Sequence, residues 1–148
     1  FSRIMSLKDG TKKMSKSDSS DLSRINLTDT KDQIVNKIKK AKTDSQPLPN
    51  DDKNLSKRPE VENLLGIYSS LNNQSLKNSI NEFSGKNFSN FKEKLADLVV
   101  EKISPISLEI NKLQKDNNFI DSVLKEGGEK ANAYASKKVE EMKKIIGF

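Results

Sequence analysis

From residue 28 onward apolar side chains recur every three or four positions and never alternate with period two, so the chain reads as a succession of helices. Ile34, Ile38 and Ala41 stand at i, i+4 and i+7 with Val35 alongside, behind Thr28 and Asp29 as candidate N-caps. The opposite face of that helix reads as lysine: Lys31, Lys37, Lys39, Lys40 and Lys42. Pro59 suits a first helical turn and precedes Val61, Leu64, Leu65, Tyr68 and Leu71 at helical spacing. Ser75 caps a shorter segment holding Leu76, Ile80 and Phe83. A longer stripe from Ser89 runs through Phe91, Leu95, Leu98, Ile103, Ile106, Ile110 and Leu113, and Pro105 predicts a kink or break within it. Asp116 caps a fifth helix with Ile120, Val123 and Leu124, which Gly127 and Gly128 should end. A last helix places Ala131, Ala135, Val139, Met142 and Ile146 on one face. The pattern predicts an all-α helical bundle of about five to six helices.

Two stretches lack that periodicity. Ile4-Met5-Ser6-Leu7 reads as the end of a strand, and Lys8 to Asp21 continues as an exposed loop with almost nothing to bury. Thr43 to Arg58 is polar, contains Pro47 and Pro49, and reads as a linker. The chain thus divides into three parts: residues 1–27 with the loop, residues 28–58 as connecting helix and linker, and residues 59–148 as a helical domain. Tyr68, Phe83, Phe88 and Phe91 fall on or beside apolar stripes, which favours core packing over base stacking.

Composition narrows the chemistry. Leu, Ile, Val and Phe make up 38 of 148 residues, enough for a folded chain, while a hydrophobic share of 32% implies a modest core. With no cysteine and no histidine, disulfides, the usual zinc sites and His or Cys mechanisms are excluded, and no metal site is expected. No apolar run reaches the length of a membrane span and Phe1-Ser2-Arg3-Ile4 is no secretory signal, so no membrane partner is expected. The start at Phe1 instead of Met implies a chain cut from something longer. Residues 1–58 hold 14 Lys/Arg against 8 Asp/Glu and residues 59–148 hold 13 of each, so the whole excess of +6 lies in the first stretch. An anionic partner is expected there.

Within that stretch Lys13-Met14-Ser15-Lys16-Ser17 sets two ammonium groups three residues apart, with small hydroxyl side chains between them. Both can reach one polyphosphate, and cations so placed stabilise charge growing on a leaving pyrophosphate more than they stabilise the ground state. The run from Arg3 through Met5, Leu7 and Asp9 to this loop resembles the second signature of class I aminoacyl-tRNA synthetases in its tryptophan-specific form. The resemblance continues through Leu27-Thr28-Asp29-Thr30, Lys37-Ile38-Lys39-Lys40-Ala41, Thr43-Asp44-Ser45, Arg58-Pro59 and Asn63-Leu64-Leu65. It ends with Gly128, Lys130-Ala131 and Ile145-Ile146-Gly147-Phe148, and so covers nearly the whole chain.

That resemblance implies a short remnant of a Rossmann-like catalytic domain carrying the lysine loop, followed by a helical domain that binds the tRNA anticodon. It assigns Lys13 and Lys16 the catalytic role on the ATP phosphates and the departing pyrophosphate, Ser15 and Ser17 lesser contacts, and the Met14 backbone a place near the adenosine. ATP with Mg2+ is then a substrate that the fragment does not hold tightly; tRNA(Trp) and tryptophan are the other partners. The family's first signature contains histidine, so its absence here implies that the nucleotide cradle and the indole pocket lie elsewhere. A fragment without them is expected to be inactive alone, because positioning supplies roughly 7–11 kcal/mol of such barriers. The family's homodimer forms through the missing half, which makes a monomeric fragment the expectation. An excess of 24 lysines over 3 arginines favours a bacterial cytoplasm over a mitochondrial matrix. Two other readings are a stand-alone basic helical RNA-binding module, which leaves the context of the loop as coincidence, and a small helical interaction protein, for which the bundle suffices and the lysines serve solubility.

Overall fold

Regular structure begins only after the lysine loop. The computed structural model describes residues 3–147, and Phe148, the last residue of the Ile-Ile-Gly-Phe ending, lies outside them. The helices are α1 (Lys31–Lys39), α2 (Pro59–Leu71), α3 (Leu76–Phe83), α4 (Phe88–Leu113) and α5 (Asn117–Ile146), with 3-10 turns at Asp21–Ser23 and Leu55–Lys57. The all-α class is therefore observed. The remnant of a Rossmann-like sheet is not visible: among the described residues there is no strand, only an isolated antiparallel bridge between Met5 and Lys13.

Packing divides the chain into two compact units, Phe1–Leu108 and Glu109–Phe148. The first unit buries Leu7, Ile34 and Ile38 together with Leu64 and Leu65 of α2, Ile80 and Phe83 of α3, and Phe91, Leu95 and Val99 of α4. Phe83 makes edge contacts to Tyr68 at 4.9 Å and to Phe91 at 4.8 Å between ring centroids, which puts these aromatics in the core. Phe88 is half-buried beneath the Arg58 guanidinium, 6.0 Å from its ring centroid.

The stretch from Thr43 to Arg58 is more than a tether, because Leu48 and Leu55 reach the core. Arg58 grips the Asp44 carboxylate with two nitrogens at 2.7 and 2.6 Å and donates a third bond to the Pro47 carbonyl at 2.9 Å. A bidentate guanidinium of this kind fixes direction as well as distance. It explains why an Asp in one polar segment and an Arg fourteen residues later act together.

Several boundaries differ from the sequence expectation. The N-cap of α1 is Thr30, whose hydroxyl accepts from the Gln33 backbone while the Gln33 side chain returns to the Thr30 backbone. Asp29 is not a cap but a buried carboxylate, and Lys37 is not on the lysine face: only 2% of it is exposed. Helix α4 continues through Pro105. The carbonyl that loses its donor there belongs to the exposed residue Glu101 and can turn to water.

Gly127 and Gly128 do not stop α5 either. Neither takes a positive φ, and the helix ends instead on Gly147, whose φ of 87° is left-handed. Asp116 caps the start of α5 as expected, accepting from the Phe119 backbone at 3.0 Å. No residue of α5 is buried.

Candidate functional site

The lysine loop is held at both ends and free in the middle. On the incoming limb, the Asn63 side chain of α2 reads both backbone groups of Met5: its Oδ1 accepts from the Met5 nitrogen and its Nδ2 donates to the Met5 oxygen, each at 2.8 Å. Asn63 thereby does for Met5 what a neighbouring strand would do, and it is itself buried. A narrow turn comes next, closed by the Ser6 nitrogen on the Lys12 oxygen at 2.8 Å and the Met14 nitrogen on the Ile4 oxygen at 3.1 Å. At its tip Asp9 accepts from the Thr11 hydroxyl at 2.6 Å and the Thr11 nitrogen at 3.0 Å. Those two bonds hold the Asp9 carboxyl below its ordinary range. Gly10 lies against the first turn of α2, where any Cβ would overlap the Pro59 carbonyl group and the Glu60 nitrogen. A side chain there would push the limb off its seat.

Lys13 is bridged to Met5 by this turn, and Met14, the last residue the turn fixes, packs its side chain against the core. Ser15, Lys16 and Ser17 are exposed and bond only locally, with the two serine hydroxyls 2.9 Å apart and the Ser17 nitrogen donating to the Ser15 hydroxyl at 3.3 Å. Lys16 is thus carried on backbone that few bonds restrain.

The outgoing limb is held by Arg24. Its Nη1 donates to the Asp18 oxygen at 3.0 Å and the Ser20 oxygen at 3.3 Å, its Nε to the Asn26 side chain at 3.1 Å, and its Nη2 pairs with Asp21 at 3.2 Å. The Ser23 carbonyl then accepts from the Leu7 nitrogen at 2.8 Å, tying the two limbs together.

Between the limbs opens a cleft of about 820 Å³ whose walls include Arg3, Lys13, Lys16 and Arg24. No carboxylate lines it. Lys12 is paired with Asp9 at 3.4 Å, but neither Lys13 nor Lys16 takes part in an ion pair among the described residues. Two uncommitted ammonium groups on one rim, with the exposed Arg3 guanidinium beside them, form a surface that attracts and orients a polyanion. All five residues singled out from the sequence, Lys13 to Ser17, lie in this one loop, and Lys13, Met14, Ser15 and Lys16 line the cleft. Sequence reasoning missed Arg24, Asn63 and Lys37. A polar residue within an apolar helical stripe is the signal that marks the last two: Asn63 stands between Val61 and Leu64, and Lys37 is three residues from Ile34 and next to Ile38.

Comparison with known proteins bears on what that cleft serves. The family described as tRNA synthetases class I (W and Y) matches residues 1–105. A tryptophan-tRNA ligase from Mesorhizobium japonicum is 52% identical over 99% of this chain, and one from Rhizobium meliloti is 53% identical over the same share; each match covers 41% of the relative. A tryptophan-tRNA ligase from Rickettsia felis is 49% identical over 99% of the chain and 44% of its own length. Among solved structures, the crystal structure of tryptophanyl-tRNA synthetase from Mycoplasma pneumoniae superposes with a TM-score of 0.74 at 28% identity, over 99% of this chain and 44% of that one. The chain therefore spans about two-fifths of the length of the curated relatives it matches. A stand-alone RNA-binding module is not favoured by these matches.

Proposed function

Because the chain belongs to the class I tRNA synthetases of the tryptophan and tyrosine family, we propose that it is the part of a tryptophan-tRNA ligase that brings the ATP-phosphate loop and the tRNA-binding helices. The intact enzyme joins tryptophan to ATP, releasing pyrophosphate, and passes the tryptophanyl group to tRNA(Trp). The three parts of the chain then divide the work: residues 1–27 end the catalytic domain, residues 28–58 connect, and residues 59–148 bind tRNA. The identity of about half over 99% of the chain supports the tryptophan form over the tyrosine one.

One observation carries the reading: Lys13 and Lys16 are exposed, free of carboxylates among the described residues, and set on the rim of a cleft that contains no negative charge. When the bond between the α- and β-phosphates breaks, charge moves onto the leaving pyrophosphate. Ammonium groups held near that position gain interaction energy as the reaction proceeds, which lowers the barrier. Lys13, whose backbone is anchored by its bridge to Met5, supplies a cation from a fixed base; Lys16, on the looser tip, closes on the phosphates once they are bound. Ser15, Ser17 and the backbone near Met14 add donors around the same oxygens. ATP enters with its Mg2+ as substrate. The intact ligase works as a homodimer in a bacterial cytoplasm, and no described helix is long and apolar enough to cross a membrane.

Grafted into the intact enzyme, Lys16→Ala should slow tryptophan-dependent ATP–pyrophosphate exchange by roughly 2–4 kcal/mol of transition-state stabilisation, with tryptophan affinity little changed. An unaltered exchange rate would remove the loop from the chemistry.

A further inference from the structure

Behind the loop lies a charged cluster that phosphate binding does not itself require. The Lys37 ammonium, 2% exposed, sits 2.7 Å from a carboxylate oxygen of Asp29 and 2.7 Å from one of Asp21. Asn26 joins the two acids, donating from its side chain to Asp21 at 3.0 Å and to Asp29 at 3.2 Å, and from its backbone to Asp29 at 2.8 Å. Arg24 closes the group from the other side through Asp21.

The position that Lys37 occupies is an apolar one. It falls on the stripe of Ile34 and Ile38, where a Leu or Met would fill the space without desolvating a charge. Burying an ammonium makes sense where direction matters more than stability, and the direction here is toward the loop. Asp29 is buried and belongs to the entry of α1, whereas the Asp21 side chain is 57% exposed and belongs to the outgoing limb, five residues after Lys16. From Asp21 the contacts run through Arg24 to the carbonyl oxygens of Asp18 and Ser20, the first of them two residues from Lys16. Two cations and two carboxylates balance within the cluster. Arg24 is thereby neutralised, and the unpaired charge on this rim, among the described residues, is left to Arg3, Lys13 and Lys16.

We propose that Lys37 is a positioning residue for the lysine loop: through Asp21 and Arg24 it fixes the outgoing limb so that Lys16 meets the phosphates in a set place. The proposal rests on the reading of Lys16 as a phosphate-binding cation. Asn63 performs the matching task on the incoming limb, so one residue from α1 and one from α2 define where the loop begins and ends. Because the Lys37–Asp21 bond is the half of the cluster open to solvent, it can be cut without leaving a charge stranded in the core.

The test uses the intact ligase and Asp21→Asn, which keeps the shape and the bond to Asn26 while removing the charge that Lys37 and Arg24 share. The turnover number for ATP–pyrophosphate exchange should fall roughly 10- to 100-fold, the loss that a misplacement of about 1 Å produces, with the KM for tryptophan and the melting temperature little altered. In a Lys16→Ala background the same substitution should add less than about twofold, because a residue acting through Lys16 has nothing left to position. Three results overturn the proposal: wild-type turnover in Asp21→Asn beside a slow Lys16→Ala, full additivity of the two substitutions, or a loss of turnover accompanied by an equal loss of folded protein. Wild-type turnover in Lys16→Ala itself would overturn the underlying reading as well, so the two failures are distinguishable.

Discussion

Two carboxylates share one ammonium at Lys37 Nζ, and the member of the pair at Asp29 is 5% exposed. Removing the cation alone leaves that carboxylate buried with only the donors of Asn26, so Lys37→Met should destabilise the fold by about 3–5 kcal/mol. Replacing both partners, in Lys37→Met with Asp29→Leu, should return much of that loss, since an apolar pair of similar volume needs no desolvation. Urea denaturation of the three proteins measures the difference; equal stability of the single and double variants would show that the buried charge is not what the first variant exposes. Acid acts at the same scale. Arg58 holds the Asp44 carboxyl below its ordinary value of 3.8, and Lys37 does the same for Asp21, helped by Asn26. A carboxyl with a lowered folded pKa binds fewer protons folded than unfolded, so its contribution is present above the unfolded value and is lost as pH falls through the folded one. The urea midpoint should therefore drop progressively below about pH 4, and Arg58→Ala should flatten that drop; an unchanged slope in the variant would detach Asp44 from the acid response.

Helix α5 runs for 30 residues with two adjacent glycines near its middle, and a Cβ built on either meets nothing within 4 Å. Each glycine lowers helical stability by roughly 1 kcal/mol relative to alanine. Gly127→Ala and Gly128→Ala should each raise the helical signal at 222 nm and delay its thermal loss, whereas a decrease would mean that the helix is interrupted there. The glycine pair also shows where reading elements from sequence fails. A pair of glycines stops a helix when the backbone turns left-handed, and that choice depends on the residues just beyond the pair: Glu129, Lys130 and Ala131 are good helix formers and carry the helix through. The stripes of α2 and α3, the cap at Ser75 and the cap at Asp116 were legible because each is a local matter of spacing or of one side chain bonding to the next turn. Lys37 was not. Its charge placed it on the outer face, while its register, three from Ile34, placed it inside, and the carboxylates of Asp29 and Asp21, eight and sixteen residues earlier, decide between the two.

For the whole molecule, the loop itself was readable as a motif and its supports were not, since Asn63 meets Met5 across 58 residues of chain. Those supports decide what the chain can do by itself. They fix one rim of a cleft on which Arg3, Lys13 and Lys16 are exposed, and such a rim attracts a polyphosphate with an interaction that salt screens over about 8 Å. Attraction of this kind does not set an attacking carboxylate in line with an α-phosphate, and that alignment is worth roughly 7–11 kcal/mol. The 148-residue chain, about two-fifths the length of its relatives, should thus bind ATP or tripolyphosphate weakly and in a salt-dependent way. It should give no tryptophan-dependent exchange of pyrophosphate into ATP. Titration of tripolyphosphate at two salt concentrations measures the binding, and labelled pyrophosphate with the purified chain, run beside the intact ligase, measures the exchange. Exchange above background that requires tryptophan would mean that residues 1–148 already contain an amino-acid pocket and a nucleotide cradle, and the division of labour between this chain and the rest of the enzyme would have to be redrawn.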